Sequence, residues 1–280
     1  MHKAFLVVLC FIVFTGCMGG ESSQNPEENN TQAEPAETQD MTSPGHSIKV
    51  TAFRYGTSQF GSQFIFHNDP YERPLDFGWM FFLIEYDDHK VLIDTGYNDQ
   101  EMSELFGVTW EDPIELLEMY GLAPNEITHI IITHAHFDHI GTVDLFPQAY
   151  VYIHQNALNS LTQDVAGMEV VQRFGDDSTY TAFADETRIL DIFRLVPVQG
   201  HAAGSTAVYI ELPEATLLFP SDEVILYENL ENREPIGYAY SLEANRQFIQ
   251  SITDEVVFPF HDPSVVSQGN PFQTVYEAEF

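Results

Sequence analysis

The sequence predicts an α/β chain, of the α+β kind, in which two packed β-sheets are flanked by helices. Three observations carry this. Apolar runs of strand length recur along the 280 residues and come in groups. Segments with helical spacing are inserted between those groups. Aspartate or histidine stands immediately past several of the runs, so polar side chains collect where strands end.

Taken in order, strands are expected over residues 48–55 and 63–66, then over 79–86 and 90–94. Residues 60–82 are unusually aromatic: Phe60, Phe64, Phe66, Tyr71, Phe77, Trp79, Phe81 and Phe82. Gly56, Gly61, Pro70, Pro74 and Gly78 break this stretch into loop. Most of its aromatics read as core, and the rest as the wall of a pocket. Residues 110–120 have helical spacing, and Gly121 stops them. Strands follow over 127–133 and 150–154, with a short helix near 142–146 and a longer one over 155–162. Residues 193–199, 207–211 and 215–220 read as strands, 242–252 as a helix and 255–260 as the last strand. A candidate lid covers 164–183, with Met168, Phe174 and Tyr180. No internal repeat is visible.

The two ends differ from the middle. Lys3 and the apolar run over 4–15 read as a secretory leader over 1–16, too short to span a bilayer. Phe14-Thr15-Gly16-Cys17 resembles a bacterial lipobox, which makes Cys17 a candidate lipid anchor. The chain would then be exported and tethered to the outer face of a cell membrane, or to its periplasmic side, by that anchor only. Residues 17–47 are rich in Glu, Gln, Asn, Ser, Thr and Pro, with no Lys or Arg, and read as a disordered acidic tether. The folded domain is expected over 48–280. Cys10 and Cys17 are the only cysteines, so that domain holds no disulfide.

Charge narrows the function. The chain carries 43 acids against 10 bases, a formal net charge of −33. Such a surface repels nucleic acid and anionic metabolites, since each phosphate contact needs a basic partner. It also repels itself, and salt relieves that repulsion, so a salty habitat is one reading of the composition.

The densest chemistry is His134-Ala135-His136-Phe137-Asp138-His139, directly after the apolar Ile130-Ile131-Ile132-Thr133. Packing does not call for three imidazoles and a carboxylate at a strand end, whereas metal binding does. Four side chains on one tight turn cannot all converge on one ion and leave room for the rest of a coordination sphere. A division of His134 and His136 from Asp138 and His139 suggests a dinuclear site of the kind used for hydrolysis, completed by distant ligands. His201, Asp222 and His261 each follow a strand-like run. Singly, each would pass for a hydrogen-bonded structural group. In this order after the hexapeptide they form a set.

With these residues the chain resembles the metallo-β-lactamase-fold hydrolases. The motifs are Val91-Leu92-Ile93-Asp94-Thr95-Gly96, Thr133 to Gly141, Gly200-His201, Ser221-Asp222 and Phe260-His261. Within that superfamily it is most similar to the N-acyl-homoserine lactonases, by Phe137-Asp138-His139-Ile140-Gly141, the long interval from His139 to His201, and His261-Asp262. The resemblance implies an αββα sandwich, two mixed β-sheets flanked by helices. It implies two divalent metal ions, zinc being the expected metal. His134, His136 and His201 would hold one, and Asp138, His139 and His261 the other, with Asp222 bridging. Asp94 would orient a ligand imidazole from behind. Two departures stand out. The lactonases carry a tyrosine three residues after the bridging aspartate, where this chain has Ile225, and Tyr227 is the nearest substitute. They also repeat a histidine where this chain has Ser205, which is therefore expected to be dispensable for both activity and metal.

The expected reaction is hydrolysis of a neutral small-molecule lactone or ester, with water activated between the ions as nucleophile. Asp222, with Asp138 beside it, is the candidate catalytic carboxylate, and Tyr227 the candidate donor to the oxyanion. A glyoxalase II-like thioesterase and a β-lactamase are the competing enzyme readings. Both hold a substrate carboxylate, yet between His201 and His261 the only bases are Arg233 and Arg246. A tethered lipoprotein that binds metal or ligand without turnover is the non-enzyme alternative.

Overall fold

The computed structural model describes residues 45–161, 174 and 179–280. The expected leader, Cys17, the tether up to residue 44 and most of the candidate lid lie outside them. Among the described residues no helix is long and apolar enough to cross a membrane.

Among the described residues thirteen strands form two sheets. The first holds β1 (Ser47–Gly61), β2 (Pro74–Tyr86), β3 (His89–Ile93), β4 (Thr109–Trp110), β5 (His129–Ile132), β6 (Tyr150–His154), β7 (Tyr180–Phe183) and β13 (Phe272–Glu279). Its order is β13-β1-β2-β3-β5-β6-β7, with β4 paired to β1. The second holds β8 (Thr187–Ile189), β9 (Phe193–Pro197), β10 (Thr206–Glu211), β11 (Thr216–Phe219) and β12 (Val256–Val257). Its order is β12-β11-β10-β9-β8. Both sheets are mixed. The β3–β5, β5–β6, β6–β7 and β11–β12 pairs are parallel, and the others antiparallel.

Among the described residues seven α-helices accompany them: α1 (Ser62–Ile65), α2 (Gln100–Phe106), α3 (Pro113–Tyr120), α4 (Phe137–Ile140), α5 (Gln155–Leu161), α6 (Tyr227–Glu231) and α7 (Leu242–Ser251). Asp112 caps α3 by accepting from the Ile114 N–H, Pro113 opens it, and Gly121 at φ 102° ends it left-handed.

The continuous apolar runs are explained by burial on both faces. In β2, Phe81 and Leu83 join one core cluster with Leu116 and Leu117 of α3 and Ile140 of α4. Phe82 and Ile84, one residue out of phase, join a second cluster with Phe193, Leu195, Val208 and Phe219 of the other sheet. A third cluster sets Ala207, Tyr209 and Leu218 against Phe248 and Ile249 of α7. Helix, sheet, sheet and helix thus stack as the expected αββα sandwich.

Four expectations change. The strand expected over 79–86 begins at Pro74, because pairing with the long β1 carries it through Pro74 and Gly78, which were expected to break the segment into loop. The strand expected over 48–55 runs on to Gly61 by way of a bulge between Arg54 and Gly56. The strand expected over 63–66 is instead helix α1, which buries Ile65 and leaves Phe64 exposed. The segment 255–260 is strand only over Val256–Val257.

Candidate metal centre

Strand direction brings the candidate ligands together. Parallel β3 and β5 end on the same edge, so Asp94 and His134 emerge side by side. Across the sandwich, β9 and β11 both run antiparallel to β10, and β12 runs parallel to β11. His201, Asp222 and His261 therefore leave at one edge as well. The N–H of Thr206 donates to the carbonyl of Thr133 at 2.9 Å and ties the two sheets together there.

His134, His136, His201 and Asp222 form one group, and Asp138, His139 and His261 a second; in each, the ligand atoms all lie within 4.8 Å of one another. Asp222 stands between them. Its Oδ2 is 3.4 Å from Nε2 of His201 and 3.9 Å from Nε2 of His134. Its Oδ1 is 3.2 Å from Nε2 of His139 and 3.2 Å from Nε2 of His261. Oδ2 of Asp138 completes the second group, 3.3 Å from His139 and 3.7 Å from His261.

The imidazoles are held from behind. Nδ1 of His139 lies 2.7 Å from Oδ2 of Asp94, whose oxygens also accept from the Thr133 N–H and hydroxyl, each at 2.7 Å. Nδ1 of His261 donates to the carbonyl of Gly78 at 2.8 Å. Nδ1 of His134 is 3.1 Å from Oγ of Ser221. Each contact turns the Nε2 of its ring inward. His136 faces the group the other way round, with Nδ1 2.9 Å from Nε2 of His134 and 3.0 Å from Nε2 of His201.

These residues fit a pair of divalent ions. Nε2 of His139 and Oδ1 of Asp222 are buried and face each other without hydrogen-bonding. Lone pairs aimed into a common space, from imidazole and carboxylate donors alone, suit zinc and its neighbours.

Burial works against the charge on Asp94, Asp138, Asp222, His134, His139 and His201. On Asp222 the surrounding imidazoles outweigh it and hold the carboxyl well below its ordinary range; Asp138 shifts the same way. On His139 the three carboxylates of Asp222, Asp138 and Asp94 outweigh it and raise the imidazole well above its usual value. In His134 and His201 burial wins, pushing His201 down to about 3. Asp94 is raised by its burial even with His139 beside it.

Three non-glycine residues flanking the site have left-handed backbone: Asp94 at φ 60°, Gln199 at 58° and Ser221 at 57°. Each costs about 1–3 kcal/mol and needs its surroundings to hold it.

Tyr227 does not join the group. It opens α6, its hydroxyl donates to the carbonyl of Val257 at 2.9 Å, and its N–H donates to Asp262. That hydroxyl is taken, so the oxyanion role expected of Tyr227 has no geometry behind it. Ile225 is buried in the core cluster that holds α3. Ser205, expected to be dispensable, is fully buried and donates to Glu223, the neighbour of Asp222. Of the candidate lid, Phe174 is buried in the core and packs edge-on against Tyr180.

Other residues at the site had no motif to mark them. Tyr238, half exposed, sets its ring edge-on to His201 at 6.2 Å between centroids. The hydroxyl of Tyr55 donates to the carbonyl of Asp138 at 2.8 Å. Phe77 stacks on His261 at 4.2 Å; its place in the aromatic segment was the one signal available.

An αββα sandwich with paired His/Asp groups at one edge defines a class of metallo-hydrolases. The model of the metallo-beta-lactamase superfamily matches residues 80–261, and the chain belongs to that superfamily. A probable metallo-hydrolase of Mycobacterium tuberculosis is 26% identical over 190 residues, covering 58% of this chain and 61% of that protein. The chain thus spans about three fifths of that relative. An N-acyl homoserine lactonase of Bacillus thuringiensis is 22% identical over 171 residues, covering 56% of this chain and 68% of the lactonase. Among solved structures, a quorum-quenching N-acyl homoserine lactone lactonase superposes with a TM-score of 0.67 at 17% identity, covering 77% of this chain and 92% of its own. A dizinc quorum-quenching lactonase gives 0.61 at 14% identity, covering 82% and 95%. A probable metal-dependent hydrolase from Staphylococcus aureus gives 0.65 at 16% identity, covering 77% and 89%.

Proposed function

We propose that this metallo-hydrolase opens a neutral lactone or ester, with acyl-homoserine lactones as the leading substrate class. The observation that carries the reading is the state of its few cations. Of the ten lysines and arginines, Lys3 and Arg173 lie outside the described residues. The other eight are all engaged. Lys49, Arg73, Lys90, Arg188, Arg194 and Arg246 pair with Glu85, Glu228, Glu126, Glu211, Glu211 and Glu243. Arg54 donates to the carbonyls of Val266 and Asn270, and Arg233 to those of Ile249 and Ile252. None of these eight is spare to hold a substrate carboxylate, as a thioesterase for glutathione esters or a β-lactamase would need. The lactonase relatives support the same substrate class.

His134, His136 and His201 would hold one ion, Asp138, His139 and His261 the other, and Asp222 would be shared. Bound there, the pair supplies a polarised ester carbonyl and a water activated near neutral pH. The chain's own residues do the rest. Asp94 and the Gly78 carbonyl fix the rings of His139 and His261. Asp222, with one oxygen toward each group, is placed to pass a proton to the leaving oxygen. An apolar tail would leave water against the aromatic residues that continue outward from Phe77, which stacks on His261.

The test is turnover by zinc-loaded protein of neutral acyl lactones and esters beside a penicillin and a glutathione thioester. The neutral substrates are expected to lead by at least about tenfold in kcat/KM, which needs only about 1.4 kcal/mol of discrimination. A penicillin or thioester that is turned over faster than every neutral substrate overturns the reading.

A further inference from the structure

Glu223 follows Asp222 in the turn Ser221–Glu223 and is fully buried. Its Oε1 accepts from the N–H of Gly200 at 2.8 Å, from the N–H of His201 at 2.9 Å, and from the hydroxyl of Ser205. Its Oε2 accepts from Nδ2 of Asn245 at 2.8 Å, and the same amide donates to the Glu223 carbonyl at 2.9 Å. Oδ1 of Asn245 accepts in turn from the Ile236 N–H at 3.0 Å. Every one of these donors is neutral. A buried carboxylate with no cation beside it is costly, so packing alone does not call for an acid here.

What the carboxylate does is join two strained turns. Gln199 precedes Gly200-His201 with φ 58°, and Ser221 precedes Asp222 with φ 57°. Glu223 belongs to the second turn and hydrogen-bonds to the first. The approach is close enough to exclude a side chain at position 200. A Cβ on Gly200 would lie 2.2 Å from Oε2 of Glu223 and 2.8 Å from Cα and Cβ of Asn245.

We propose that Glu223 is a positioning residue whose carboxylate clamps the His201 turn to the Asp222 turn, with Ser205 and Asn245 completing the clamp. It thereby sets the 3.4 Å approach of Nε2 of His201 to Oδ2 of Asp222. The proposal rests on the reading of those two residues as ligands. It also gives Ser205 work in the place where the lactonases repeat a histidine.

The test is a set of zinc and cobalt titrations of the full chain, wild type and the variants Glu223→Ala, Glu223→Asp, Glu223→Gln, Ser205→Ala and His201→Ala. Affinity is read by chelator competition, and geometry by the visible spectrum of the cobalt form. Glu223→Ala should weaken metal binding about tenfold to a hundredfold and alter the cobalt spectrum. Glu223→Asp is one methylene too short to bridge the turns and should behave like it. Glu223→Gln keeps an acceptor for the two N–H groups but turns its amide N–H against Nδ2 of Asn245, so it should recover part of the affinity and fall between Glu223→Ala and wild type. If Glu223→Ala does not fold, Ser205→Ala removes a single donor and should still lower affinity severalfold. A structural role alone would lower the thermal midpoint of these variants and leave cobalt affinity and spectrum as in wild type, and that result overturns the proposal. His201→Ala separates the two layers. Loss of one ion there, beside wild-type binding in the Glu223 and Ser205 variants, removes the clamp and keeps the ligand reading. Retention of both ions at wild-type affinity removes the ligand reading and the clamp with it.

Discussion

Asp94 and His139 meet at 2.7 Å, Oδ2 to Nδ1, although 45 residues separate them. The contact leaves Nε2 of His139 facing Oδ1 of Asp222 at 3.2 Å. Asp94 is held in turn by both donors of Thr133, the last residue before His134. One carboxylate thus orients a candidate ligand and fixes the base of the hexapeptide. Asp94→Ala should lower zinc affinity by about tenfold to a hundredfold, measured against a chelator of known strength. Wild-type affinity in a folded variant would show that the ring needs no such support.

Two ions per chain are expected, because Asp222 turns one oxygen toward each group. Elemental analysis after dialysis should approach two, and Asp222→Ala should lose at least one ion together with turnover. Saturation at one, with zinc in excess, would leave a mononuclear centre.

Much of this arrangement was legible in the chain because the physics was local. Ile130, Ile131 and Ile132 form a run with no alternation since β5 is covered on both faces. The ligands follow such runs because the ends of parallel strands share an edge. Other parts needed the third dimension. Gln63 to Phe66 is too short for period 2 to be told from period 3.6, and the segment closed into α1. Strand β13 is partly exposed and its polar residues, Gln273, Thr274, Glu277 and Glu279, do not alternate, so its pairing with β1 is what makes it a strand. Tyr227 is near Asp222 in sequence, yet α6 begins at Tyr227 and sends its hydroxyl to Val257. Glu223 reads as one more acid in an acidic chain, because its partners Ser205 and Asn245 lie 18 and 22 residues away.

Tyr227→Phe therefore separates fold from chemistry. The hydroxyl makes one hydrogen bond, to the Val257 carbonyl. Its loss should destabilise the fold by about 1 kcal/mol and leave kcat unchanged. A drop in kcat of tenfold or more, with metal content intact, would return Tyr227 to the catalytic list.

Stability should rise with salt. The formal net charge is −33, and each described cation is already engaged, so the remaining acids repel one another. Screening shortens that repulsion from about 10 Å at 0.1 M to about 3 Å at 1 M. Thermal midpoints taken from about 0.05 to about 2 M KCl should climb. A flat curve would mean that the acids are spaced too widely to interact.

Chain-length preference should follow the aromatic wall. Phe77 stacks on His261 at 4.2 Å, Phe60 on Phe77 at 4.9 Å, and Phe64 meets Phe60 edge-on at 5.6 Å. The series runs from the candidate metal centre out to a half-exposed ring at 49%. An acyl tail lying along it would reach Phe64 only when long. Truncating that ring removes about 50 Å² of apolar contact, worth about 1.3 kcal/mol at about 25 cal/mol per Å². Phe64→Ala should therefore cut kcat/KM for a ten-carbon acyl lactone by about tenfold, mainly through KM, and that for a four-carbon one by less than about twofold. Because Phe64 is exposed, the fold should lose little stability, and because the contact is apolar, salt should not restore the loss. Equal losses on the short and the long chain would mean that the tail leaves the site by another path.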